Sequence, residues 1–517
     1  MENQEMNRAS GILLHITSLS GGEGIGDLGS AARAFVDWLV AAGQSWWQVL
    51  PCGEVGFGAS PYQSPSAYAG NPLLISLDQL LEIQLLDEGD LQAQPMNSNA
   101  VDFQLVKEFK NRVLKKVCRE FTQRASASLM QNYQEFVSGT EQHWLHDYAR
   151  FTVLKNRFDG SAWNRWPKEF AQADSAALRD FDKEEAPSLE AVKIVQFLFY
   201  QQWTALRLYA NSRGISLLGD CPIYVASDSV DVWSHPELFD LDAGGSPKNV
   251  AGVPPDYFAP TGQLWGNPLY LWEKAAQDNY LWWRARMKHC ATQFDLTRID
   301  HFRGLESYWS VPASAPDASF GAWQVGPGSD FLHALQQDFQ NLPLVAEDLG
   351  DITDAVHELR QDFRLPGMRV LQFGFDGGSD NPHAPENITA DAVCYAGTHD
   401  NNTTLGWLES LPSETVESLK SRYFSSTLQE LVDAIVDVVL SSPAQLAVIT
   451  VQDLLRLSEE ARFNTPGTVG DNWLWRLDSC DLTTELAQKL KQRCRSSGRT
   501  AESSEDSRTY QHKKWNC

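Results

Sequence analysis

Eight short runs of apolar, β-branched or aromatic residues recur along this chain of 517 residues, and they leave few folds open. They span residues 11–18, 46–51, 215–225, 296–304, 342–350, 368–375, 392–400 and 445–453, most of them ending in Gly, Pro or a polar residue. Stretches of helical character separate them. Runs that are apolar on both faces suit strands covered on both sides, and strands alternating with helices make a parallel sheet. Eight such units favour an α/β fold closed into a (β/α)8 TIM barrel over an open doubly wound sheet.

The first crossover is legible in detail. Ser30 is the expected N-cap, Phe35, Leu39 and Ala42 fall on one helical face, and Gly43 suits the left-handed position after the helix. Between the second and third runs lies a stretch too long for a barrel loop, with amphipathic segments at 101–121 and 191–211. It predicts a mainly helical inserted subdomain over 76–210 on the barrel rim. The Gly- and Pro-rich stretch 240–268 reads as a second, loop-like insertion over the site. The barrel is expected over 1–477, followed by a terminal helix over 478–494. The polar, Ser-rich stretch 495–517 has no periodicity and reads as a disordered tail.

Charge narrows the partners. With 42 Lys plus Arg against 67 Asp plus Glu, the net charge of -25 repels nucleic-acid phosphates and anionic membrane surfaces. The partner is expected to be neutral or cationic. Eighteen Trp suit a protein that grips sugar C–H faces with aromatic rings. The eight cysteines, among them Cys52, Cys221 and Cys290, show no CxxC spacing and read as free thiols in a reducing cytoplasm. Residues 1–20 lack the pattern of a secretory signal, and the most apolar stretch, 434–451, is broken by Asp437 and Ser441-Ser442-Pro443.

Gly24-Ile25-Gly26-Asp27-Leu28-Gly29 matches the dinucleotide fingerprint G-x-G-x-x-G, but alone it reads equally as a tight strand-to-helix turn. Asp240, Asp242 and the run 376–380 do not follow calcium-loop spacing, so no metal site is expected. The chemistry lies in three strand ends that finish in an acid: Arg298-Ile299-Asp300-His301, Ala346-Glu347-Asp348 and Thr398-His399-Asp400-Asn401. Acids at the C-terminal ends of barrel strands face the site. Any one of them reads as a helix cap or structural ion pair, but together they suit glycoside cleavage, which needs two carboxyls flanking one bond. Arg298, two residues before Asp300, shares its strand face and can hold it ionised. Glu347, near that negative charge, should keep its proton.

The segments Ser60-Pro61-Tyr62-Gln63-Ser64, Gly219-Asp220-Cys221-Pro222-Ile223, Val253-Pro254-Pro255-Asp256-Tyr257-Phe258, Gln263-Leu264-Trp265-Gly266-Asn267-Pro268 and Asn464-Thr465-Pro466-Gly467-Thr468, with the three strand ends, resemble the 4-α-glucanotransferases of glycoside hydrolase family 77, called amylomaltases or disproportionating enzymes. The resemblance runs from about residue 11 to 477. It implies a barrel with rim insertions and no separate C-terminal β-domain, acting without a cofactor on maltooligosaccharides and starch- or glycogen-like glucans. A monomer or weak homo-oligomer is expected, and the net charge of -25 argues that it binds neither nucleic acid nor membrane. By the same resemblance Asp300 is the nucleophile, Glu347 the acid/base and Asp400 the transition-state stabiliser. Arg298 and His399 line that subsite, Tyr62 and Asp220 contact the donor sugar, and Trp265, Asn267, Asn464 and Pro466 border the acceptor side. Three rivals remain: an amylase-type hydrolase on the same acids, a non-catalytic glucan-binding protein, and a dinucleotide-dependent oxidoreductase.

Overall fold

The structure, a computed structural model, describes residues 8–92, 100–255, 260–375, 378–478 and 480–499. The readings of residues 1–7, of Asp256, Tyr257 and Phe258, of Asp376, and of the tail 500–517 with Cys517 lie outside the described residues.

Twelve strands are present among them: β1 (Ala9–Leu13), β2 (Trp46–Gln48), β3 (Ser216–Cys221), β4 (Asn249–Val253), β5 (Gln263–Pro268), β6 (Leu296–Ile299), β7 (Ser307–Pro312), β8 (Ala322–Val325), β9 (Leu344–Ala346), β10 (Gly367–Val370), β11 (Ala392–Tyr395) and β12 (Leu446–Thr450). Eight of them pair in parallel in the order β10-β11-β12-β1-β2-β3-β6-β9. The ring meets itself between β9 and β10, where the Ala346 N–H donates to the Pro366 carbonyl at 2.9 Å and the Met368 N–H donates to the Asp348 carboxylate at 2.6 Å. These are the strands of the eight apolar runs, and the fold is a (β/α)8 barrel. Each strand ends earlier than its run. After β1, for example, Leu14 and Ile16 stay fully buried in the turn, so burial continues where pairing stops.

The first crossover helix is Ser30–Ala41, with Phe35 and Leu39 buried against the strands. Its N-cap is Gly29, not Ser30, and no side chain of the cap closes it. The reason is crowding: a Cβ at Gly29 would collide with the Ser76 hydroxyl and meet Asp27 Oδ1 at 2.8 Å. Gly26 is packed equally tightly against the Ile16 carbonyl, so the G-x-G-x-x-G turn is filled by its own chain.

Between β2 and β3 lie helices including Phe103–Arg124, Gln142–Arg157 and Ala186–Ser212. The first is tied to the barrel by Lys110, a fully buried cation whose ammonium donates to the Leu73 and Ile75 carbonyls, both at 2.8 Å. The stretch expected as a loop-like insertion instead contains β4 and β5, which join β7 and β8 in an antiparallel sheet of order β5-β4-β7-β8. Its glycines do not mark a loop. Gly252 sits at a break in register between β4 and β5, where a Cβ would strike the Gln263 carbonyl, so here glycine marks a bulge inside a sheet.

Among the described residues no strand follows β12. The terminal helix is Thr484–Ser496 and runs past the expected end at 494. Arg499, read as part of a disordered tail, is buried, and its guanidinium donates to the Ala9 carbonyl at 2.7 Å and the Ser442 carbonyl at 2.8 Å. It joins carbonyls at the foot of β1 and before β12, sharing the Ser442 carbonyl with Arg8, which donates to it at 2.6 Å. Arg499→Ala removes that donor and is expected to destabilise the fold by about 3 kcal/mol, read as a lower midpoint in urea denaturation. A midpoint equal to wild type overturns that role.

No helix among the described residues is long and apolar enough to cross a membrane. The described cysteines are all free thiols.

Candidate active site

The C-terminal ends of β3, β6, β9 and β11 bring Asp220, Asp300, Glu347 and Asp400 to one mouth of the barrel. Arg298, buried on β6, sits between two of them: Nε donates to Asp220 at 3.0 Å and Nη2 to Asp300 at 2.7 Å. The period-two spacing of a strand puts Arg298 and Asp300 on one face, and the ion pair follows from it. The Asp300 side chain remains 31% exposed, so its second oxygen is open to the cleft.

Glu347 is held differently. One oxygen accepts the His301 N–H at 2.6 Å and the other the Leu349 N–H at 3.2 Å. Burial, with the neighbouring Asp300 charge adding to it, raises its carboxyl well above the ordinary range, and Arg298 only partly opposes this. Glu347 therefore keeps its proton at a pH where an exposed carboxyl has lost it. His301 takes a left-handed backbone at φ 51° to present its N–H, and burial pushes its imidazole down to about 4, so it adds no charge beside Glu347 at neutral pH.

A polar network links the remaining residues. The Tyr62 hydroxyl donates to Asp220 at 2.8 Å and lies 2.8 Å from His399 Nε2. The hydroxyl has one hydrogen and Asp220 receives it, so Nε2 of His399 carries the proton toward Tyr62. Asp220 Oδ1 and His399 Nδ1 are buried without a partner. Asp400, 46% exposed, lies 3.4 Å from His399 and accepts from the Asn464 amide at 2.7 Å. On the far side Trp265 projects from β5 and meets His301 edge to face at 4.9 Å.

Two expected binding residues stand apart from this network. Asn267 is buried, its amide donating to the Val225 carbonyl at 2.8 Å. Pro466 is exposed in the segment just beyond Asn464. Among the described residues no group of three His, Cys, Asp or Glu side chains could hold a metal ion. Asp242 accepts the Gly244 and Ser246 amides, as a turn residue does.

A family model described as 4-alpha-glucanotransferase matches residues 14–483. The chain belongs to the 4-alpha-glucanotransferase family. It is 44% identical over 499 residues to the 4-alpha-glucanotransferase of Thermus thermophilus, covering 94% of this chain and 98% of that protein. It is also 42% identical over 487 residues to the 4-alpha-glucanotransferase of Streptococcus pneumoniae strain TIGR4, covering 93% and 96%. Its fold superposes with a TM-score of 0.92 on the amylomaltase from Streptococcus agalactiae in complex with acarbose, at 36% identity, covering 95% of this chain and 100% of that one. The match across the whole barrel removes the oxidoreductase and non-catalytic readings, and the family's activity is transfer.

Three residues that sequence reasoning passed over shape this glucanotransferase site. Trp473 arrives from the segment after β12 on a left-handed backbone, φ 67°, and packs 5.9 Å from the Tyr62 ring and 6.1 Å from His399. No periodicity marks such a residue. Arg462 donates to the Asp400 carbonyl at 2.6 Å. His15, in the turn after β1, is buried, and burial with His399 nearby lowers it to about 3, so it stays neutral beneath the network. Its motif, Leu13-Leu14-His15, offered only a polar residue in an apolar run as a signal.

Proposed function

We propose that this 4-alpha-glucanotransferase works by retaining double displacement, with Asp300 as nucleophile, Glu347 as acid/base and Asp400 as transition-state stabiliser. Asp300 attacks the anomeric carbon while Glu347 gives its proton to the departing glucan oxygen, and a glycosyl-enzyme ester forms with inversion. The 4-hydroxyl of an acceptor then attacks, Glu347 takes its proton, and a second inversion restores the α linkage. The observation that carries this reading is the contrast between two neighbouring carboxyls: Asp300 ion-paired to Arg298 at 2.7 Å, Glu347 half-buried beside that charge and proton-retaining.

Asp400, with Asn464 and His399 fixing its oxygens, is positioned to bind sugar hydroxyls as charge develops at the anomeric carbon. Tyr62 and Asp220 line the donor side, where the unpartnered Asp220 Oδ1 is an acceptor for a sugar hydroxyl. Trp265 is the aromatic wall of the acceptor side, with Asn267, Asn464 and Pro466 bordering it.

The proposed partners are maltooligosaccharides and starch- or glycogen-like α-glucans, neutral ligands suited to a chain of net charge -25. The proposed setting is the cytoplasm, with the enzyme a monomer or weak homo-oligomer. Maltotriose alone is the test. Transfer conserves glycosidic bonds, so glucose and longer oligomers should rise while total reducing ends stay nearly constant. Reducing ends that climb in step with glucose from the first points overturn the reading in favour of hydrolysis.

Trp265→Ala should shift that balance. Losing an aromatic sugar contact costs on the order of 1 kcal/mol, and a weaker acceptor site leaves the glycosyl-enzyme longer in contact with water. The expected result is faster growth of reducing ends per glucose released. An unchanged ratio removes Trp265 from the acceptor side.

A further inference from the structure

The antiparallel sheet bears on the turn after β6 from both of its edges. From β5, Trp265 meets the His301 ring, and from β8, Trp323 lies against Arg303, whose guanidinium carbon is 3.8 Å from the ring centroid. Trp323 is steadied from the next strand. It pairs in register with Trp309, the two rings meet edge to face at 5.1 Å, and the Trp309 indole N–H donates to the Ala318 carbonyl at 2.8 Å. The end of β8 is tied to the same turn, since the Gly326 N–H donates to the Glu306 carbonyl at 2.7 Å.

Arg303 is buried, yet its Nε has no partner. Its guanidinium rests on the Trp323 ring and donates through Nη1 to the Asp351 carbonyl. A desolvated cation is held more firmly on an indole face than an exposed one. The two loops it joins are the ones that hold Glu347. The turn after β6 gives the His301 N–H to one carboxyl oxygen at 2.6 Å, and the loop after β9 gives the Leu349 N–H to the other at 3.2 Å. Arg303 lies two residues beyond His301, and Asp351 two residues beyond Leu349.

We propose that Trp323 and Arg303 are positioning residues for the acid: the stacked guanidinium clasps the loops after β6 and β9 and so keeps the Glu347 carboxyl aimed at the departing glucan oxygen. Their part is geometric, and no bond to them forms or breaks. The inference rests on the acid/base role proposed for Glu347. The nucleophile is anchored separately, because Asp300 is held by Arg298 on β6 itself and its N–H donates to the Cys221 carbonyl on β3 at 3.1 Å. Slackening the clasp should therefore impair protonation and spare attack.

The test compares two donors on the full-length enzyme. Maltotriose needs its leaving oxygen protonated, whereas α-maltosyl fluoride needs little help of that kind. Trp323→Leu should lower kcat on maltotriose by about a hundredfold, the scale of a misplacement of about one ångström, with KM little changed. The first-turnover burst of fluoride should stay near its wild-type rate. Trp323→Phe keeps a ring for the guanidinium and should recover most of the loss. Arg303→Lys keeps the charge without the planar fork and should reproduce the split between donors, and it decides the matter if Trp323→Leu does not fold. Equal losses on both donors, or no loss on maltotriose, overturn the proposal, as does Trp323→Phe as slow as Trp323→Leu. Glu347→Gln measured alongside separates the two readings. If it too loses both donors alike, the acid role of Glu347 fails; if it alone spares the fluoride, that role stands and the clasp fails.

Discussion

Asp300→Ala should abolish turnover of maltotriose while leaving the fold intact. The loss expected is about 10⁴-fold or more, the range seen when a catalytic nucleophile is deleted, which corresponds to about 5 kcal/mol of transition-state stabilisation. The fold survives because Arg298 is not orphaned. Its Nε keeps Asp220 at 3.0 Å, so the buried guanidinium retains an ion pair when Asp300 goes. Circular dichroism matching wild type, with turnover gone and no glycosyl adduct by intact-protein mass spectrometry, is the expected set of results. A folded variant with near-wild-type turnover removes Asp300 from the mechanism.

Glu347→Gln separates protonation from attack. With maltotriose as donor the rate should fall by about 10²- to 10⁴-fold, the contribution of a positioned acid. An α-maltosyl fluoride, whose leaving group needs little protonation, should still load Asp300. The glycosyl-enzyme should then persist, because no base remains to activate the acceptor. Absence of the adduct in folded Glu347→Gln counts against Glu347 as acid/base. The pH profile supplies the sign. Glu347 must be protonated to act as acid, and its carboxyl is raised, so wild-type kcat/KM should fall as pH rises through that raised value. The limb belongs above the ordinary carboxylate range and should be missing in the variant.

Much of this was legible in the sequence, for a physical reason. A barrel strand is covered on both faces, so it leaves a dense apolar run, and all eight runs became barrel strands. The convergence of the three acids on one barrel mouth was legible because each falls in the last part of such a run, Asp300 and Glu347 directly after β6 and β9. What the runs could not convey was their ends, since apolar turn residues such as Leu14 and Ile16 are as buried as the strand before them. The sheet β5-β4-β7-β8 was hidden because Gly252 and Gly262 look like loop residues. Nor does a sequence separate Glu347 from Asp348: the second points away, to Met368 N–H and Arg369, partners some twenty positions along the chain. Trp473 was invisible because its place depends on one left-handed residue in a segment without periodicity.

The closure between β9 and β10 joins assembly to chemistry. Asp348 holds the two strands together through the Met368 N–H, and a Cβ at Gly367 would meet its carboxylate at 2.5 Å, so only a glycine lets β10 come this near. Glu347 is the adjacent residue and rides on the same backbone. A change at this seam therefore reaches the acid through one peptide unit, while the His301 N–H on the β6 side keeps hold of its carboxylate.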